Sequence, residues 1–305
     1  MPTTSNISHV ETISEHHRDR GLVPPKHPLI SLINLSDMRK SHSSGDMWWS
    51  YGFYAIFIKR GLKSKVRYGH TSYDFDEGVL ALLKPHQVFG RSPHPSDQVE
   101  GWALFFSSEL LEGYPLSEKI LSHGFFSYQL NEALHLSQQE EKSLLRLMQQ
   151  IESEYKARID SLTQDVIIAS LDLLLTYVDR YYKRQFVTRK TPGYDILSKL
   201  DTLLESYIED GEAYTHGLPS IAVMAEKMGV SSNYLNDLVK SLSGKSFGNY
   251  IDLAVLQRAK LKLSLSNKSI STIAYELGFQ HSQSFNRFFK KHEQKSPGEY
   301  RKSLN

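Results

Sequence analysis

Apolar and polar positions follow three different rhythms along this chain, and each rhythm predicts a different architecture. Between residues 29 and about 107, short runs rich in Ile, Val, Tyr, Phe and Trp are separated by Gly, Pro and Asp: LISLINL, WWSYGFYAIFIKR, KVRYGHTSYDF, GVLALLKPHQVF and QVEGWALFFS. Short strands with turn signals between them predict a small antiparallel β-barrel or sandwich. The period then lengthens. Ser137-Gln-Gln-Glu140 is a capping-box signature, and Leu144, Leu147, Met148, Ile151 and Tyr155 follow at helical spacing. TQDVIIASLDLLLTYVDRYYKRQF reads as a second long helix, so a helical hairpin is expected over about 137–186. That second helix is apolar on more than one side, which suits either an internal core helix or one packed on a second copy of the chain.

Residues 1–28 are polar, with four histidines and Pro24-Pro25, and are expected to form a flexible arm. VTRKTPG, Val187 to Gly193, is the predicted linker, its core at 188–193. The third rhythm, helix-turn-helix, runs from 194 to 305.

This last part repeats itself. SIAVMAEKMGVSSNYLNDLVKSLSGKSF begins at Ser220 and SISTIAYELGFQHSQSFNRFFKKHEQKSP at Ser269. Ala225 and Gly229 match Ala274 and Gly278 at an offset of 49, while Leu235, Asn236, Leu238 and Lys240 match Phe285, Asn286, Phe288 and Lys290 at 50. The slip falls in the turn, where an extra residue is cheapest. In each copy a small Ala lets two helices approach, a Gly supplies positive φ, and the second helix offers an i, i+3, i+4 apolar stripe. The expected boundaries are about 219–243 for the first unit, 246–265 for a long amphipathic connecting helix, and 269–292 for the second unit.

The opposite face of each second helix carries the candidate chemistry. Gln283, Arg287 and Lys290 stand at i, i+4 and i+7, with Ser282 and Asn286 beside them. Arg can hold guanine through two hydrogen bonds and Asn or Gln can hold adenine, whereas Lys neutralises phosphate. The predicted base-facing residues are therefore Asn233, Asn236, Ser282, Gln283, Asn286 and Arg287, and the predicted phosphate contacts are Lys240, Lys290 and Lys291. For any one such residue the bland alternative is an ordinary solvated surface. The repeated scaffold shifts the balance to double-stranded DNA, with the two helices roughly 34 Å apart along it.

Composition adds limits. A chain of 305 residues with 40% apolar and 23% charged residues has material for about two globular domains. It contains no cysteine, which excludes disulfides, thiolate metal sites and cysteine nucleophiles and fits a cytoplasmic location. Neither a secretory leader nor a membrane-spanning run is found. The net charge is only +2, yet Lys240–Asn305 holds 12 Lys/Arg against 4 Asp/Glu, a local +8. Such asymmetry points to an anionic partner at that end.

These residues resemble the AraC/XylS family of bacterial transcription regulators, over roughly residues 200–304. The resemblance rests on IAVMAEKMGVSSNYLNDLVK, on SFGNYIDLAVLQRAKLKL, and above all on ISTIAYELGFQHSQSFNRFFKKHEQKSPGEYRKSL. It implies a seven-helix DNA-binding domain joined to a cupin-like barrel and a dimerising helix pair: a multi-domain α+β chain with a sensor and dimerisation domain at 29–187 and a DNA-binding domain at 194–305. A homodimer, a small-molecule effector and RNA polymerase are the further partners it suggests. Two positions depart from the family pattern. Asp237 stands where the family often has arginine, and Gln294 replaces the usual glycine before Ser-Pro.

In the N-terminal part, Trp48, Tyr51, Phe53, His70, His86 and Trp102 are the candidate effector-contacting residues; plain core packing is the alternative for each. A metal-dependent cupin enzyme is the rival reading, resting on His70, His86 and His94, but the paired H-x-H ligands it would need are missing. A domain that only dimerises is a third. No catalytic constellation, metal site or cofactor motif is identified.

Overall fold

The computed structural model describes residues 7–38, 47–60, 62–68, 71–75, 78–91, 100–128, 132–188 and 192–303. The chain divides into two compact units, Met1–Gln185 and Phe186–Asn305.

The first unit is built on β1 (Ile7–Val10), α1 (Ile13–Asp19), β2 (Ile30–Asn34), β3 (Met47–Tyr51), β4 (Tyr54–Arg60), β5 (Leu62–Tyr68), β6 (Thr71–Phe75), β7 (Val79–Leu83), β8 (Val88–Arg91) and β9 (Glu100–Phe106). After these come α2 (Leu116–Ser122), β10 (Leu134–His135), α3 (Gln138–Lys156) and α4 (Thr163–Thr188). The strands form two five-stranded sheets, ordered β1-β3-β8-β5-β6 and β10-β7-β4-β9-β2. Of the expected barrel or sandwich this is the open, two-sheet form, and it departs from the barrel in two ways. The sheets do not close on each other, and β1 pairs with β3 in parallel, Ile7 against Trp48 through Val10 against Tyr51.

The space between the sheets holds a core. Ile33, Phe57, Ala81, Leu83, Ala103 and Phe105 from the second sheet meet Val10, Tyr51 and Phe53 there. The intervening residues of the second sheet, Ile56, Ile58, Leu80, Leu82, Leu104 and Phe106, are buried as well. Both faces are therefore covered, which accounts for near-continuous apolar strands such as VLALL. α3 packs beside β2, and the Tyr155 hydroxyl accepts a hydrogen bond from the Leu32 amide (2.9 Å), satisfying a donor on that edge strand.

The arm expected at 1–28 carries regular structure from Ile7 onward. α1 starts with a full capping box, Thr12 with Glu15, and lodges Ile13 and His16 against the inter-sheet core. The helical hairpin matches expectation: Ser137 and Glu140 form the capping box of α3, and Leu144, Met148, Ile151 and Tyr155 are its buried stripe. Arg184 of α4 joins the pair by two hydrogen bonds to Glu140 (3.0 and 2.8 Å).

The second unit is helical: α5 (Pro192–Glu209), α6 (Glu212–His216), α7 (Ile221–Met228), α8 (Ser232–Ser243), α9 (Phe247–Leu265), α10 (Ile270–Glu276), α11 (Ser282–Glu293) and α12 (Pro297–Lys302). The short α6 brings the number among the described residues to eight, one more than the resemblance implied. Serines set the register. Ser220, Ser231, Ser246, Ser269 and Ser296 each cap a helix through a backbone N–H three residues on. A single core unites Leu204, Tyr207, Met224, Leu235, Val239, Ile251, Ala259, Ile273, Phe285 and Phe289.

Candidate DNA interface

The two repeated motifs fold as α7–α8 and α10–α11. Ala225 and Ala274 are buried on the first helix of each pair. Gly229 turns the chain at φ +68 and Gly278 at φ +94, a region that an L-side chain rarely enters. On α8 the inward stripe is Leu235, Leu238 and Val239; on α11 it is Phe285 and Phe289, with Phe288 half-buried. The phenylalanines pack on each other and on Phe279, with ring centroids 5.2–5.8 Å apart. They are core, and their burial fixes which side of α11 looks outward.

That outward side carries Gln283, Asn286, Arg287, Lys290 and Lys291, all exposed, with Ser282 partly covered at its start. α8 exposes Asn233 and Lys240. Asn236 is less free than its counterpart Asn286. It is half-buried, its Oδ1 accepts from the Phe247 amide at the start of α9 (3.5 Å), and its Nδ2 donates to Asp237 (3.4 Å).

Ion pairs sort the cations into two groups. Arg258 holds Glu205 and Glu209, Lys260 holds Glu293, Lys262 reaches Glu209 and Glu276, and Lys268 also holds Glu276. Burial pushes the Glu276 carboxyl up, but hydrogen bonds from Lys268 and Lys262 outweigh it and hold the group below its usual range. By contrast Lys240, Lys245, Arg287, Lys290, Lys291 and Lys295 form no ion pair among the described residues. The local positive surplus is thus satisfied internally on α9 and at Lys268 just after it, and left open on α8, α11 and the turns that follow them. An open cationic surface carrying side-chain amides can bind phosphate and read base edges.

The sensor candidates scatter. Tyr51 and Phe53 stack on each other (5.0 Å) inside the inter-sheet core, beside Phe105. Trp102 alternates with Ala103 and Phe105 along β9 and so lies on the other face of that sheet. Trp48 is partly covered and packs over Gly90, outside that core. His86 is exposed on the turn between β7 and β8, where its backbone takes φ +63 and donates to the Tyr51 carbonyl (2.6 Å). His70 and His94 lie outside the described residues, so His86 is the one histidine of the rival metal reading whose place is known.

A buried group absent from the sequence-based candidates stands with Tyr51 and Phe53. The His16 ring meets Phe105 at 4.6 Å, Tyr51 at 5.3 Å and Phe53 at 6.2 Å, and neither of its nitrogens has a hydrogen-bond partner among the described residues. Burial, with Arg20 and His17 adding to it, pushes the imidazole down to about 3 and keeps it neutral. The Thr12-x-x-Glu15 signature in the supposed arm was the available sign that His16 sits on a helix.

A model of a helix-turn-helix domain matches residues 224–303. Over 85 residues the chain is 32% identical to the regulatory protein SoxS of Escherichia coli K12, covering 28% of this chain and 79% of that protein. Over 146 residues it is 31% identical to the raffinose operon transcriptional regulatory protein RafR of Pediococcus pentosaceus, 48% of this chain and 50% of RafR, so the match spans half of that relative's length. The solved C-terminal domain of the two-component response regulator yesN from Fusobacterium nucleatum is 33% identical, covering 33% of this chain and 95% of that one, with a TM-score of 0.29. With two helix-turn-helix pairs, an outward row of cations that form no ion pair among the described residues, a helix-turn-helix model over 224–303 and 32% identity across 79% of SoxS, the chain belongs to the AraC/XylS family of transcription regulators.

Proposed function

We propose that this protein is a sequence-specific transcription regulator whose two helix-turn-helix units read adjacent major grooves of duplex DNA. The observation that carries this reading is the division of labour around α11: Phe285 and Phe289 are sealed inward, while Gln283, Arg287 and Lys290 share the outward face without an ion-pair partner among the described residues. Gln283, Asn286 and Arg287 then meet base edges, with Ser282 at the start of the helix. Lys290 and Lys291 neutralise phosphates. On α8, Asn233 and Lys240 take the matching roles. Asn236 joins the base-facing set where its tie to Phe247 leaves a proton donor free. The protein acts as a DNA-binding regulator and not as an enzyme, it works in the cytoplasm, and RNA polymerase is its partner at the promoter. Among the described residues no helix is long and apolar enough to cross a membrane.

The first unit supplies dimerisation and sensing. Leu162, just before α4, and Val166, Ala169 and Leu173 on it are exposed and recur at intervals of 4, 3 and 4 residues, the spacing of a seam between two helices. A second copy of the chain covers that seam. A small-molecule effector enters the aromatic space around Tyr51, Phe53 and His16, where a neutral imidazole offers both a donor and an acceptor. A first unit that dimerises without sensing is the second reading, favoured by how completely those rings already fill the space.

The test is selection of bound sequences from a random duplex pool by the purified protein. Enrichment of a bipartite motif with two boxes about 10 base pairs apart supports the proposal. Recovery of unenriched DNA, with binding governed by salt alone, overturns it.

A further inference from the structure

The two helix-turn-helix units are joined twice. One join is α9, which runs continuously from the end of the first unit to the start of the second. The other is non-local. The chain leaving α6 passes Gly217 and Leu218 directly across the turn of the second unit at Gly278. A β-carbon on Gly278 would stand 2.7 Å from the Gly217 carbonyl carbon, 2.8 Å from the Leu218 nitrogen and 2.9 Å from the Gly217 oxygen. Backbone therefore touches backbone there. At Gly229, the counterpart of Gly278 in the first unit, no described atom lies within 4 Å of the β-carbon position. Turn geometry explains both glycines; only the contact with Gly217 explains why the second is also sterically locked.

Other contacts hold the same segment. The Tyr207 hydroxyl on α5 donates to the Gly217 carbonyl (3.2 Å). α5 packs on α7 and α8 of the first unit, and α6 packs on α10 of the second. An ion cluster runs alongside: Glu205 and Glu209 on α5 bind Arg258 on α9, Glu209 lies 3.8 Å from Lys262, and Lys262 lies 3.1 Å from Glu276 on α10. By their packing and the Gly217–Gly278 contact, α5, α6 and the loop after them reach from one unit to the other without passing through α9, and the ion cluster ties α5 to α9.

We propose that this segment is a strap that fixes the separation of the two reading helices, with Gly278 as the positioning residue. It makes the number of base pairs between the two boxes a determinant of specificity alongside the bases themselves. A fixed separation matters because adding one base pair rotates the second box by about a tenth of a turn and shifts it by about 3.4 Å along the axis. The proposal rests on the reading that both units touch DNA.

The experiment uses the full chain and its selected operator, together with operators lengthened or shortened by one base pair between the boxes and a duplex carrying only the second box. The variants are Gly278→Ala, which forces the strap away, and Tyr207→Phe with Glu212→Gln, which removes the hydrogen bond to Gly217 and the ion pair to Lys227 without adding volume and stands in should Gly278→Ala fail to fold. The parent should lose about tenfold or more in affinity for either altered spacing. The strap variants should lose less than half of that factor on a logarithmic scale, while binding to the single-box duplex stays unchanged. Variants that weaken on all the duplexes in proportion, keeping the full spacing penalty, would show that the strap only stabilises the fold. A parent indifferent to spacing would overturn the two-unit reading itself, a result separable from the first.

Discussion

The two copies of the helix-turn-helix motif share a scaffold and differ in what surrounds it. In the first copy no described atom lies within 4 Å of where a β-carbon on the turn glycine, Gly229, would stand; in the second, Gly278 is pressed against the Gly217 backbone. Ser231 caps α8 with its hydroxyl, whereas His281 at the matching position before α11 makes no side-chain cap. α8 ends at Gly244 in the left-handed region, and α11 ends at Gln294 in the same region. Asn236 is tied to the start of α9, and Asp237 follows it; their counterparts are the exposed Asn286 and Arg287. The first copy is the better-capped pair of helices, and the second carries the more exposed cationic and amide surface. Local stability has been given up where the charged, amide-rich surface is densest, a pattern expected at functional sites.

The largest break in this comparison comes from the shared core. Phe285 is fully buried in the cluster that also contains Leu235 and Val239 of the first copy. Phe285→Ala should cost about 3–5 kcal/mol, and both copies should unfold together in a chemical denaturation followed by circular dichroism. Loss of the second copy alone would mean that the core is not shared.

Next in size is the difference in reading power. Arg287→Ala should weaken specific binding by about 1–3 kcal/mol in a titration and relax preference at the base it faces. Asn233→Ala should cost less. Equal losses would erase the distinction between reader and scaffold.

A smaller effect should run in the opposite direction. Gln294 holds φ +60 at the end of α11, a conformation that costs an L-residue roughly 1–2 kcal/mol. Gln294→Gly relieves this but gives roughly 0.4–1 kcal/mol back through the freer unfolded chain. The net should be a stabilisation of about 0.5–1 kcal/mol, visible as a higher melting temperature without altered DNA affinity. A fall in melting temperature would mean that the Gln294 side chain, which donates to the Lys291 carbonyl, outweighs the strain.

The smallest effect is on pH dependence. Lys227 in the first copy and Glu276 in the second occupy matching positions and bind opposite charges. Because the folded-state value of Glu276 lies below its ordinary 4.5, its contribution to stability is complete above that pH and is lost as pH falls through the lowered value. Glu276→Gln should flatten the acid limb of the stability profile below about 4.5, while the parent shows the full slope.

Much of the second unit was legible in the sequence because its signals are local. Ala225 and Ala274, the paired glycines, the Phe stripe and the serine caps all act within a turn or two of chain, and the boundaries of α7 through α11 follow them closely. What escaped depended on distant partners. Pairing of β1 with β3 brings together residues 7–10 and 48–51, and nothing polar or apolar in ISHV announces a parallel partner. Burial of His16 needed the rings of Tyr51, Phe53 and Phe105 around it. The strap through Gly217 and the tie between Asn236 and Phe247 are likewise contacts between segments that show no shared pattern. Trp102 is a different case. Strand alternation alone separates it from Phe105, and the contacts of Tyr51 and Phe53 with Phe105 then part it from them.

Sequence-specific binding by this chain requires both reading helices to engage one duplex. Methylation interference at guanine N7, which reports the major groove, tests this most directly on the selected operator with the parent and with Arg287→Ala. The account predicts two patches of interference about 10 base pairs apart on one face of the helix, with one patch erased by the substitution and the other kept. A single patch, or two patches that fade equally when Arg287 is removed, would contradict it.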